Sequence, residues 1–184
     1  MSRWVSVRII GHGVSKRHAS TKWIGGMRPI SEVCTSPSRH RAISLGAASA
    51  IVSPPCGALG VIQGKQDSIY FSGDSGYGPH FKEIGAKYGP CDFAMMECGQ
   101  YNEKWPLIHM MPEETAQAAV DLGAKAMMPI HWGTFVLAMH SWTDPVERVT
   151  ERADELGMPV ITPRIGDVIT MDALAGFRDR WWEG

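Results

Sequence analysis

Three polar residues lie where predicted strands give way to loops. Asp74 follows the apolar run Ile69–Phe71, His131 follows the apolar sequence MMPI, and His109 comes shortly before a proline-led helical pattern. An imidazole at the end of a buried strand is a good metal ligand, because the backbone fixes it and the core keeps water away. A carboxylate with imidazoles suits zinc, iron or manganese. Because neighbouring strands lie about 4.8 Å apart, we expect the three side chains to meet at one sheet edge.

Each residue also has a purely structural interpretation. Asp74 lies in SGDSGYG, and Asp, Ser and Gly are common residues of tight turns. Taken singly, His109 and His131 are more typical of hydrogen-bonded structural histidines. Their position on successive strand ends favours a shared site. Glu97 also ends a predicted strand near the proposed site; a role in supporting the ligands is open to it, but we do not assign that role.

The sequence from Ser68 onward alternates between strand and helix patterns. It predicts strands at Ser68–Ser72, Asp92–Glu97, Ala126–Ile130, Pro159–Thr162 and Asp167–Met171, and helices at Pro79–Lys87, Pro112–Leu122 and Pro145–Leu156. Such alternation indicates an α/β fold in which helices pack on a sheet.

The segment Arg41–Gly60 has a different character. It is rich in Ala, Ser and Pro and shows no amphipathic period. With no periodic apolar face to bury, we expect it to pack poorly or to be disordered.

Composition excludes several classes of protein. The 184 residues are 44% hydrophobic and 20% charged, which is typical of a single soluble domain. A net charge of −1 gives no electrostatic case for nucleic acid as a partner. No apolar run approaches the roughly 20 residues of a transmembrane segment, and no signal peptide is recognisable. The four cysteines form no CxxC pair, so we interpret them as free thiols of a cytoplasmic protein.

Three motifs carry a family resemblance. GDSGY contains Asp74, HMMPEE begins at His109, and IHWGTF contains His131. At these spacings they resemble the carboxyl-terminal half of a metallo-β-lactamase-fold hydrolase. The branch is that of N-acyl-phosphatidylethanolamine-hydrolysing phospholipase D and the ascorbate-6-phosphate lactonase-like proteins. We therefore interpret residues 1–184 as a single partial domain, with a poorly matching segment 1–60, a matching segment 61–171 and a tail 172–184.

The resemblance implies an αββα sandwich, here incomplete, with a mixed sheet flanked by helices. It implies metal-assisted hydrolysis of a phosphoester, phosphodiester or lactone, with one or two zinc ions, or manganese or iron. Asp74 would bind metal and take part in catalysis, His131 would bind metal, and His109 would face the substrate. The substrate would be a small or lipid-like molecule, and oligomerisation is open.

The sequence also departs from this family. The signature His-x-His-x-Asp-His, which supplies most metal ligands, is absent. The family's T-P-x-x-H ligand element occurs as TSPSRH with one inserted residue, which indicates His40 as a further metal ligand. The spacer Arg41–Gly60 keeps its length but loses the family's residue types, as the stretch Arg8–Ile30 also does. We hypothesise an amino-terminally truncated, partly frameshifted member, and a non-catalytic remnant remains the alternative to a hydrolase.

Overall fold

A six-stranded mixed sheet forms the centre of the molecule. The computed structural model describes residues 8–9, 41–45, 48–53, 59–135 and 137–184. In chain order, the strands are β1 (Arg8–Ile9), β2 (Arg41–Leu45), β3 (Ala48–Ser53), β4 (Leu59–Gln63), β5 (Ser68–Phe71), β6 (Phe93–Glu97), β7 (Met127–Ile130) and β8 (Val168–Ile169). The central sheet has the order β2-β3-β4-β5-β6-β7. Its β2-to-β5 part is antiparallel and its β5-β6-β7 part is parallel.

Three helices connect or follow the parallel strands. They are α1 (His80–Tyr88), α2 (Pro112–Leu122) and α3 (Asp144–Leu156), and α2 packs between the other two. Pro112 occupies the first turn of α2, and Gly123 ends it with φ 73°, a conformation that glycine adopts readily. All three predicted helices are confirmed to within one residue at each end. Within the described ranges, no helix has the length and apolarity needed to cross a bilayer.

Both faces of the parallel strands are covered. Successive side chains of a strand point to opposite faces, and β6 shows this directly. Phe93 joins a cluster with Met128, Ile161 and Ile169 from β7 and the carboxyl-terminal segment. The next residue, Ala94, joins the larger cluster that contains the apolar faces of the helices. The mixed sheet flanked by helices agrees with the predicted fold class.

The expectation that the segment Arg41–Gly60 is disordered was wrong for its described residues. Its backbone forms β2 and β3 and begins β4, with ladders from Arg41 opposite Val52 to Ser53 opposite Leu59. Strand pairing satisfies backbone N–H and C=O groups and requires no continuous apolar run. The lack of an amphipathic period therefore did not exclude these strands.

The predicted strand Pro159–Thr162 was also wrong, because this stretch forms only an isolated bridge from Val160 to Met127. The predicted strand Asp167–Met171 is shorter than expected and consists of β8, which pairs in parallel with β1.

Candidate metal centre

His131 lies immediately beyond the end of β7 in a tightly packed turn. Its φ of 68° is positive, which is uncommon for a residue other than glycine. The carbonyl of His131 packs so closely on Gly99 that a Cβ built at position 99 would lie 1.5 Å from the His131 oxygen. Glycine at position 99 is therefore what permits the backbone after β6 to approach the backbone after β7.

Asp74 lies three residues beyond the end of β5, in the loop that leads to α1. Ser72 fixes the start of this loop. Its backbone N–H donates to the carbonyl of Met95 (3.0 Å), and its hydroxyl accepts a hydrogen bond from the backbone N–H of Glu97 (2.8 Å). The loop therefore leaves the sheet in register with β6, and the Asp74 carboxylate remains half-exposed.

His109 is held by a buried carboxylate. Its Nδ1 lies 3.1 Å from Oε2 of Glu97, whose side chain is fully buried. The other oxygen, Oε1, accepts a hydrogen bond from the backbone N–H of Met110 (2.6 Å). Glu97 thus fixes both the ring of His109 and the chain that follows it, and leaves Nε2 as the nitrogen available to the site.

The three residues identified from sequence converge. A nitrogen or oxygen atom from each of Asp74, His109 and His131 lies within 4.8 Å of those of the other two. Oδ1 of Asp74 lies 3.8 Å from Nε2 of His131, and the two imidazole centroids are 5.3 Å apart. The structure thus confirms that they share one sheet edge. His40, the fourth residue predicted for the site, lies outside the described residues.

The spacing fits a metal ion. Ligand atoms about 2.0–2.1 Å from a tetrahedral zinc lie roughly 3.4 Å from one another. The separation of Asp74 and His131, 3.8 Å, is close to this value. One carboxylate oxygen and imidazole nitrogens are donors that zinc, iron and manganese accept.

Glu97 contacts the candidate site through His109, a contact that the sequence did not predict. Burial raises the pKa of its carboxyl group, the hydrogen bond from the Met110 N–H opposes this and the Asp74 carboxylate adds to it, so that the pKa lies at about 8. Burial lowers the pKa of His109, against the opposing effect of Asp74. Both pKa shifts favour the uncharged forms of Glu97 and His109. In these forms the Glu97 O–H donates to Nδ1 of His109, and the Nε2–H of His109 remains a hydrogen-bond donor. A glutamate that ends an apolar strand was the available signal.

This pair makes stability depend on pH. In metal-free protein, the folded state retains the Glu97 proton up to about pH 8, whereas the unfolded chain releases it near the ordinary value of 4.5. The free energy of unfolding should therefore fall as pH rises from 6.5, the ordinary histidine value, to 8. Glu97→Gln should flatten this decline in urea unfolding curves measured with a chelator. Equal declines in the two proteins would contradict the assignment.

A cavity of about 480 Å³ lies beside the site. Its walls include Gly99, Gly133, Phe135, His140, Trp142 and Trp181. Gln100 holds the loop that forms much of this wall, because its amide donates to the carbonyl of Phe135 and accepts from the N–H groups of Leu137 and Ala138. Among the described residues, its lining contains no Asp, Glu, Lys or Arg and is rich in aromatic rings, and Gly133 joins it to the turn that carries His131.

Comparison with known proteins gives several relatives. An outer membrane protein, RomA, from Klebsiella pneumoniae is 65% identical over 68 residues, 37% of this chain and 52% of that protein. An uncharacterized protein of Mycobacterium tuberculosis is 41% identical over 123 residues, 65% of this chain and 32% of that protein. A mitochondrial N-acyl-phosphatidylethanolamine-hydrolyzing phospholipase D from Saccharomyces cerevisiae is 33% identical over 90 residues, 47% of this chain and 19% of that protein. The chain therefore spans about half or less of the length of these relatives.

The fold agrees with these matches. The metallo-beta-lactamase fold protein YhfI of Bacillus subtilis superimposes with a TM-score of 0.53 at 15% identity, over 69% of this chain and 51% of that one. The family model of the beta-lactamase superfamily domain matches residues 28–132, more than half of the chain. This match begins within the segment 1–60 and includes Asp74, His109 and His131. It ends before the cavity residues from Gly133 onward. The chain belongs to the beta-lactamase superfamily domain family and has the metallo-β-lactamase fold.

Proposed function

We propose that this protein is a metal-dependent hydrolase. The observation that carries the proposal is the convergence of Asp74, His109 and His131 at one sheet edge. A divalent ion held there would lower the pKa of a bound water, so that hydrolysis proceeds at neutral pH. Asp74 and His131 hold this ion, and His40 is the proposed further ligand.

His109 acts on the substrate side of the site. Because Glu97 occupies its Nδ1, the ring is fixed and presents Nε2 to the space between Asp74 and His131. A donor fixed in advance stabilises negative charge as it develops on a substrate oxygen. This arrangement supports the substrate-facing role that the family resemblance implies.

The proposed substrates are phosphoesters, phosphodiesters or lactones that carry an apolar group. The aromatic cavity beside the turn that carries His131 supports an apolar group there. The yeast relative named as an N-acyl-phosphatidylethanolamine-hydrolyzing phospholipase D supports a lipid-like substrate.

Zinc is the proposed ion, with manganese or iron as substitutes. A catalytic zinc has three protein ligands and an open position. The proposed ligands Asp74, His131 and His40 would supply these three, so they suit one ion. Two ions about 3.5–4 Å apart require more ligands than the described residues supply. The alternative is a non-catalytic protein that retains the fold without holding a metal.

Metal content and hydrolysis decide between these functions. We expect the purified chain to retain about one equivalent of zinc and to hydrolyse bis-p-nitrophenyl phosphate, p-nitrophenyl phosphate or a simple δ-lactone. Chelation should abolish the activity, and added zinc should restore it. Metal content near zero, with no hydrolysis after zinc is added, would support the non-catalytic alternative. The cytoplasmic location predicted from the cysteines stays a prediction.

A further inference from the structure

The residue after the proposed ligand His131 packs against the carboxyl end of the chain. The ring of Trp132 lies 5.6 Å from that of Trp181 in a stacked arrangement and 5.7 Å from that of Trp182, edge to face. On the other side, the Trp132 indole N–H donates to the carbonyl of Pro129 (2.9 Å). Trp132 is therefore held between its own strand and two tryptophans from far along the sequence.

Residues 177–184, which we call the carboxyl-terminal clamp, are firmly attached to the body of the fold. Thr162 donates its backbone N–H to the carbonyl of Phe177 (2.6 Å) and its hydroxyl to that of Asp179 (2.9 Å). The indole N–H of Trp181 donates back to the carbonyl of Thr162 (3.0 Å). Trp182 is 7% exposed, so the clamp contains a buried anchor.

His131 needs such support. A non-glycine residue at φ 68° adopts a sparsely populated, strained conformation, which persists only where the surroundings enforce it. Gly99 contacts the His131 carbonyl from the side of β6. The clamp contacts the next residue, Trp132, from the opposite end of the chain.

We infer that Trp181 and Trp182 are positioning residues for His131, acting through Trp132. The inference rests on the proposed metal site for its functional meaning. Trp181 also lines the cavity beside the site, so one element sets both a cavity wall and the orientation of a ligand.

The experiment compares Trp182→Ala with Trp182→Phe in the full chain. Phenylalanine retains an aromatic ring against Trp132 and removes an indole N–H that has no hydrogen-bond partner among the residues that the structure describes, so it should be tolerated. In metal-free protein labelled with ¹³C at histidine Cε1, we expect Trp182→Ala to shift or broaden the His131 signal and to leave that of His80 in α1 unchanged. Trp182→Phe should restore the wild-type signal.

Cobalt titration gives the second measurement. Trp182→Ala should weaken Co²⁺ binding by roughly tenfold, the lower end of the range for residues that orient a ligand, and Trp182→Phe should restore it. An unchanged His131 signal in Trp182→Ala would overturn the inference. So would equal shifts of His131 and His80 without rescue, which would indicate general structural support. If Trp182→Ala does not fold, Trp182→Leu is compared in the same way.

The two proposals fail separately. If wild-type protein binds no Co²⁺, the proposed metal site is wrong. The histidine signals of metal-free protein still decide whether the clamp positions His131.

Discussion

Asp74→Asn should lose at least about a hundredfold in zinc affinity while the protein stays folded. Changes to residues that merely orient a ligand cost 10–100-fold, and this change removes the ligand's charge itself. Stability should change little, because the carboxylate is half-exposed and its described partner is the exposed His131. Calorimetric titration with zinc measures the affinity, and urea unfolding measures the fold.

Asp167→Asn is the matched control. Asp167 is a genuine turn residue, whose carboxylate accepts a hydrogen bond from the backbone N–H of Arg164 (2.8 Å). This variant should bind zinc as the wild type does. If Asp74→Asn also binds zinc normally, Asp74 is only a turn residue and the metal site is wrong.

Gly99→Ala should disrupt the site without touching any proposed ligand. The added methyl group would lie 1.5 Å from the His131 oxygen and 2.7 Å from the Trp132 nitrogen, and both are backbone atoms that cannot rotate away. Forcing extra volume into a packed site typically costs about 1–3 kcal/mol, and here the backbone of His131 must move. We expect lower stability in urea and at least tenfold weaker zinc binding, by analogy with the loss of ligand orientation.

Gly176→Ala provides the comparison, because a Cβ at position 176 would meet no atom of the described residues within 4 Å. This variant should match the wild type in both measurements. Normal zinc binding by Gly99→Ala would show that His131 tolerates displacement, and that the close approach of the two loops has no bearing on the site.

Local patterns were enough to predict much of this fold. Helix α2 begins at Pro112 and ends before Gly123 as expected, because proline and glycine restrict the backbone wherever they occur. Asp74, His109 and His131 were found because strand ends of one sheet must share an edge. The pairing of Arg41–Leu45 with Ala48–Ser53 was missed, because it rests on backbone groups that leave little trace in side-chain type.

Long-range contacts account for the rest of what was missed. The hydrogen bond between Glu97 and His109 joins a strand end to a loop, and neither local sequence pattern predicts the other. The approach of Gly99 to His131 depends on how two loops pack after β6 and β7 have paired. Such contacts follow from the assembled sheet and cannot be deduced from either segment alone.

The order of strands in the central sheet bears on how the chain assembles during synthesis. Each strand from β2 to β7 pairs with its neighbour in sequence, so the sheet can grow one strand at a time as the chain emerges. In contrast, β1 can pair with β8 only after Val168, the partner of Arg8, has been synthesised. Asp74 and Glu97 therefore reach their places before His131 does. Trp181 and Trp182 are synthesised well after His131, so the turn that carries His131 forms before the two tryptophans that pack on Trp132 have emerged.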